Sequence, residues 1–321
     1  MSNQLDALKA LTTVVADSGD FESFKDLKPQ DATTNPSLIF KAAAQPEYQA
    51  LFDKALDTAR AQSKDLEEQV KISLDQLAVN FGVEILKIIP GRVSTEIDAR
   101  LSYNTQGSID KAMQLFKMYE AAGVDPKKRV LFKLASTWEG IKAAEHLEKQ
   151  GIHTNMTLMF GFCQAVASAE VGATLVSPFV GRILDFWKKE TGKTYTAEED
   201  PGVLSVRSIY NYYKKYGYKT IVMGASFRSK EEILALAGCD YLTIAPKWLK
   251  AMAECTEPVP RHLSVEEAKK TSVEKMTFDE ASFRWALGED ACATTKLAEG
   301  IRNFAKDTVK LEAIIRERLQ K

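Results

Sequence analysis

Lys133 stands in VLFKLASTWEG (residues 130–140), flanked by apolar residues, with no acid within five positions. Burying an ammonium ion without a partner is expensive, so a lysine in a short strand-like run needs a reason. In an extended strand Val130, Phe132 and Leu134 share one face, while Leu131, Lys133 and Ala135 share the other. The amine therefore leaves the face opposite the bulky trio. Desolvation favours the neutral form of an amine, and a neutral amine attacks a carbonyl to form a Schiff base. The competing reading is a lysine whose stem lies along apolar surface while its head stays in water.

Other polar side chains sit at the ends of similar runs. Asp17 ends the first, Thr33, Thr34 and Asn35 the second, and the third carries Ser94, Glu96 and Asp98. Ser136 follows Lys133; later runs carry Asn155 and Thr157, then Ser177, then Ser226 with Arg228 just beyond. Each Asp, Ser or Asn before a helix is a capping candidate. Capping does not explain a lysine, several acids and two amides offered together. By alternation Val93, Thr95 and Ile97 form one face of the third run, leaving Ser94, Glu96 and Asp98 on the other. An inward Glu96 is either an ion-pair partner or a general acid/base. SPFVGR (177–182) and GASFR (224–228) place Arg182 and Arg228 just beyond late strands. Such a pair can grip a phosphate through bidentate, charge-assisted hydrogen bonds.

These residues need strands to converge them. Eight short apolar runs are expected as strands: 12–17, 31–35, 92–98, 130–135, 154–160, 173–179, 220–226 and 241–246. Helical stretches fall at 3–11, 46–62, 66–88, 107–122, 137–150, 162–171, 205–216 and 229–237, and Gly123, Gly151, Gly172, Gly217 and Gly238 fall near helix ends. Eight βα units imply a (β/α)8 barrel over residues 1–321, with chemistry at the C-terminal mouth. A doubly wound sheet is the competitor, but no GxGxxG follows the first strand. A C-terminal helix at about 294–319 is expected to pack on the outside, as a cover for the barrel or a subunit contact. The charged segments 186–204 and 254–280 read as loop or peripheral helix.

The composition narrows the partners. The chain of 321 residues is 45% hydrophobic, so it can bury a sizeable core, and its 43 basic and 44 acidic residues nearly cancel. That balance argues against nucleic acid or an anionic membrane as a partner. Cys163, Cys239, Cys255 and Cys292 form no CxxC pair, as in a reduced cytoplasmic protein. MSNQLDALKAL lacks the apolar stretch of a signal peptide, and no run approaches the ~18 apolar residues of a membrane span. TGKT (191–194) resembles the end of a P-loop, but position 187 is Trp rather than Gly. His146, His153 and His262 lack metal-ligand spacing, so no metal is expected. No Ser/His/Asp order stands out.

DATTNPSL (31–38), PGRVSTEIDARLS (90–102), VLFKLASTWEGIKAAE (130–145), SPFVGRILD (177–185) and MGASFR (223–228) closely resemble the transaldolase family. The likeness runs from VVADSGD (14–20) to KLAEGIRNFA (296–305). It implies a class I aldolase barrel, circularly permuted relative to other aldolases, homodimeric and without a cofactor. Lys133 matches the family's Schiff-base lysine and Asp17 its acid/base. Glu96 and Thr157 match the pair that holds a water. Asn35, Asn155 and Ser177 match groups that bind the dihydroxyacetone hydroxyls, with Thr33 beside them in the same motif. Arg182, Ser226 and Arg228 match the phosphate site. Phe179 matches an aromatic residue that separates transferase from aldolase behaviour. The implied substrates are sugar phosphates of the pentose phosphate pathway. A lyase that releases free dihydroxyacetone and a non-catalytic sugar-phosphate-binding barrel are the alternatives.

Overall fold

The computed structural model describes residues 3–321; Met1 and Ser2, the start of the polar N-terminal segment, lie outside the described residues. Eight parallel strands close into a barrel in chain order, with β8 pairing back to β1. They are β1 (Thr13–Asp17), β2 (Asp31–Thr33), β3 (Val93–Glu96), β4 (Val130–Ala135), β5 (Thr154–Met159), β6 (Leu175–Pro178), β7 (Ile221–Gly224) and β8 (Tyr241–Ile244). The fold is the expected (β/α)8 barrel, and each strand is shorter than or as long as its expected run.

Alternation divides each strand between two environments. Val15, Leu131, Leu175 and Met223 pack together as an apolar plug inside the barrel. Val14, Val93, Phe132, Met156, Val176 and Leu242 belong instead to the larger core shared with the surrounding helices. Two residues further toward the mouth come Asp17, Lys133 and Ser177, with Ala225 on β7, so the plug forms the floor of a largely polar well.

Three segments outside the strands fix how the barrel is closed. Segment 186–204 is part peripheral helix and part loop, as expected: it ends helix Val180–Thr191, runs irregularly over 192–200 and starts helix Pro201–Tyr216. The first has Phe179 at its N-cap with no side-chain cap, so it lacks the usual polar start signal. Segment 254–280 contains one short helix, Val265–Lys270. Its backbone carbonyls at Thr271, Val273 and Met276 accept from Lys215, Tyr216 and Tyr212, which explains its ordered course without regular structure.

The C-terminal helix, Ala291–Leu319, packs in two places. Its second half does pack outside, with Leu311 and Ile315 in the main core and Arg316 paired to Glu67. Its first half crosses the barrel mouth. There Cys292, Ala293, Leu297, Ile301 and Phe304 form one cluster with Leu158, Phe160, Phe179 and Ile183. Gly300 permits this approach, because a Cβ there would lie 2.6 Å from the Leu158 Cδ2 atom. Among the described residues no helix is long and apolar enough to cross a membrane.

Candidate active site

Strand register builds the site. Glu96 pairs with Lys133 and Lys133 with Asn155, so β3, β4 and β5 present an acid, an amine and an amide at one height. On the other side of the well Asp17 pairs with Thr33. Lys133 is 4% exposed, which removes the solvated-lysine reading. Its Nζ lies 3.1 Å from Glu96 Oε2 and makes a long hydrogen bond of 3.4 Å to the Thr34 carbonyl.

Beyond this ion pair, Glu96 Oε2 is buried with no further hydrogen-bond partner among the described residues. Thr157 Oγ1, on the strand at Lys133's other side, is likewise buried without a partner. Buried polar atoms are rarely left this way unless a water or ligand completes them. Each of the two oxygens can still accept a hydrogen bond from a water or a ligand hydroxyl.

Burial raises the Glu96 carboxyl above the ordinary carboxylate range, opposed chiefly by the charge of Lys133. Asp17 is raised for the same reason, opposed by Lys133 and then by its hydrogen bond from Thr33. Thr33 Oγ1 donates to Asp17 Oδ1 at 3.0 Å and lies 2.8 Å from Thr243 Oγ1. A hydroxyl has one proton, so Thr243 donates to Thr33 and the chain of three fixes the Asp17 rotamer. Desolvated acids flanking an amine are costly to stability; grouped at a barrel mouth they mark a site of acid/base chemistry.

The remaining expected residues divide into an exposed lining and a supporting layer. Asp17, Thr33, Asn35, Lys133, Ser177, Phe179, Arg182 and Ser226 line one cavity. Asn35 also caps the helix Pro36–Ala42, its Oδ1 accepting from Leu38 N, so capping and site membership coincide. Its amide NH2 has no acceptor among the described residues. Asn155 lies behind this surface: it donates to Ser94 at 3.0 Å and accepts from Ser177.

Arg182 brings the one guanidinium into the cavity lining. Its guanidinium lies 4.7 Å from the Phe179 ring centroid and 5.6 Å from that of Phe304. Among the described residues it has no hydrogen bond or carboxylate partner. Burial, and then Arg228, disfavour its charged form. Five N–H donors held between two rings without an acceptor are prepared for an anion.

Arg228 is less ready. It is paired with Asp185 at 2.7 Å, and its Nη1 is only 3.5 Å from Ser226 Oγ. Ser226 adopts a left-handed φ of 61°, turning the loop into the mouth. Gly181 N donates to Ser226 O, and a Cβ at position 181 would lie 2.5 Å from that oxygen. The two arginine loops thus interlock through glycine.

Comparison with known proteins bears on this geometry. The profile described as Transaldolase/Fructose-6-phosphate aldolase matches residues 14–315. The chain belongs to the transaldolase/fructose-6-phosphate aldolase family. A transaldolase of Shewanella loihica is 58% identical over 320 residues, covering 100% of both chains. A probable transaldolase of Drosophila melanogaster is 58% identical over 318 residues, covering 98% of this chain and 96% of its own. A transaldolase of Saccharomyces cerevisiae is 58% identical over 322 residues, with 99% and 96% covered. The family resemblance of the sequence motifs is thereby established, and with it an enzyme of the transferase class.

Within this transaldolase-family barrel one expected inward residue is misplaced. Asp98 leaves the strand, caps the turn Ala99–Leu101 and pairs with Arg100 at 2.6 Å. Strand pairing ends at Glu96, so alternation no longer governs residue 98. Thr243 and Phe304 line the cavity but were not anticipated. Alternation along β8 would have placed Thr243 inward with Tyr241. Phe304 lies in an ordinary apolar helical stripe, and no local signal separates it from core.

Proposed function

We propose that this enzyme transfers a dihydroxyacetone unit between sugar phosphates through a Schiff base on Lys133. The donor is sedoheptulose 7-phosphate or fructose 6-phosphate. The acceptor is glyceraldehyde 3-phosphate or erythrose 4-phosphate, as in the pentose phosphate pathway. The observation that carries the reading is Lys133, 4% exposed and 3.1 Å from Glu96, in one cavity with Asp17 and an unpartnered Arg182.

In this reaction the Lys133 amine attacks the donor C2 carbonyl to give a carbinolamine. Loss of one water, handled by Glu96 and Thr157, leaves the protonated imine. Asp17 takes the C4 hydroxyl proton, the C3–C4 bond breaks, and the imine accepts the electron pair as an enamine. The aldose phosphate departs. The enamine then attacks the acceptor aldehyde, Asp17 returns the proton, and water releases the product. Asn35 and Ser177 hold the dihydroxyacetone hydroxyls, with Asn155 acting on them through Ser177.

Phe179, beneath the Arg182 guanidinium, supports transfer over hydrolytic release of dihydroxyacetone. The presence of both Lys133 and Asp17 in one cavity weighs against a non-catalytic barrel. The four cysteines are unpaired, in keeping with a cytoplasmic enzyme. We also propose a homodimer, which light scattering of the purified enzyme tests: a monomer there overturns it.

Borohydride reduction in the presence of fructose 6-phosphate, followed by digestion and mass spectrometry, tests the covalent step. A reduced dihydroxyacetone adduct on Lys133 is expected. An active sample with no adduct at Lys133 overturns the assignment. For the phosphate side, Arg182→Ala is expected to raise KM for fructose 6-phosphate by about tenfold to a hundredfold. The effect on an unphosphorylated donor should be far smaller. Equal effects on both would remove the phosphate role.

A further inference from the structure

Behind the Ser226–Arg228 loop lies a second group of buried acids that the proposed reaction does not use. Glu232 and Asp200 are each 2% exposed. Asp200 caps the helix Pro201–Tyr216, its Oδ1 accepting from Gly202 N at 2.7 Å and Val203 N at 3.3 Å. Glu232 reaches back to the loop: its Oε2 accepts from the backbone N–H of Arg228 at 2.5 Å and of Ser229 at 3.4 Å. The two carboxyl groups are close enough to act on each other's ionisation.

Glu232 Oε1 has no donor among the described residues. Two buried carboxylates side by side repel, and an orphaned carboxylate oxygen adds a desolvation cost. Both problems vanish if one proton sits on Glu232 Oε1 and is donated to Asp200. The surrounding charges do not remove the need for it. Lys188, on the helix Val180–Thr191, acts on Asp200, while the Arg228 guanidinium is engaged by Asp185. Burial first, and then Asp200, raise the Glu232 carboxyl to about 7. The proton is therefore held in the acid range and lost as pH rises through neutrality.

We propose that the Glu232–Asp200 pair, by sharing one proton, is a positioning device that holds the Ser226–Arg228 loop in its anion-binding conformation. With the proton in place, Glu232 bridges Asp200 to the Arg228 backbone, and the loop is fixed on the side opposite Gly181. When the proton leaves, mutual repulsion moves Glu232 and releases the Arg228 N–H. The loop then grips an anion less well, although no catalytic group has changed. This inference rests on the proposed phosphate role of that loop.

The test uses sulfate, which does not titrate near neutrality, as a competitive inhibitor against fructose 6-phosphate. For the wild type, the sulfate inhibition constant is expected to weaken by about threefold to tenfold between pH 6 and pH 8.5. Glu232→Gln keeps the acceptor for Arg228 N and supplies a permanent donor to Asp200. It should hold the constant within about twofold over the same range. Asp200→Asn, which retains a helix-capping side chain, should flatten the profile as well. A wild-type profile that is itself flat, or variant profiles that follow a sloping wild type, overturn the shared-proton inference. If sulfate does not compete, or Arg182→Ala leaves its inhibition unchanged, the phosphate reading fails first and takes the inference with it.

Discussion

Lys133→Ala is expected to lower kcat by about 10⁴-fold or more, because no other amine can replace the covalent electron sink. Among the cavity-lining residues Lys133 is the only primary amine; Arg182 cannot form an imine with a ketose. The loss must be separated from unfolding. The apolar floor of Val15, Leu131, Leu175 and Met223 lies below the substitution and does not contain it. Glu96 would lose the nearest charge that opposes its raised carboxyl. A carboxyl in that position takes up a proton rather than remaining as an uncompensated buried charge. The variant should therefore keep its circular dichroism spectrum and still show competitive inhibition of substrate binding by sulfate, judged by protection of the fold against heat. It should form no borohydride-stable adduct. Retained transfer activity, measured by coupled release of glyceraldehyde 3-phosphate from fructose 6-phosphate and erythrose 4-phosphate, would sink the Schiff-base assignment.

Lys133 was legible because charge conflicts with its neighbours. A strand that is otherwise apolar for six residues leaves a lysine few uses, and strand register then brings Glu96 and Asn155 beside it. Asp17, Ser177 and Ser226 were legible for a related reason, since barrel strands place their C-terminal residues at one mouth. The misreadings share a different cause. Asp98 was assigned by extending alternation two residues past the end of β3. The helix Val180–Thr191 was missed in part because Phe179 supplies no capping side chain. Phe304 acquires its position beside Arg182 only when the C-terminal helix docks across the mouth. The orphaned oxygen of Glu232 likewise follows from tertiary packing: in the sequence it is an ordinary acid in the first turn of a helix. Local pattern thus identifies residues that violate their own surroundings, while residues that become unusual through docking stay silent.

Asp17→Asn makes the converse case, in which activity falls and stability rises. The proposed role requires a carboxylate that accepts the C4 hydroxyl proton, and an amide cannot do so at neutral pH. We expect kcat to fall by about 10²- to 10⁴-fold. Stability moves the other way because burial is the largest influence on this group and raises its carboxyl above 3.8 in the folded enzyme. Where the folded value exceeds the unfolded one, the ionised group is a net cost at neutral pH. That cost disappears as pH falls through the folded value and the carboxyl becomes protonated. The amide removes it while keeping an oxygen to accept from Thr33. Lys133 retains Glu96 at 3.1 Å as its counter-charge. The variant should therefore melt at a higher temperature than the wild type at neutral pH, and the gap should narrow as the solution is acidified. The same protonation should lower wild-type kcat in acid, at a pH above that of an exposed aspartate. A lower melting temperature at neutral pH would mean that Asp17 stabilises the fold through Lys133 more than burial costs it. Unchanged kcat would remove Asp17 from the proton-transfer step.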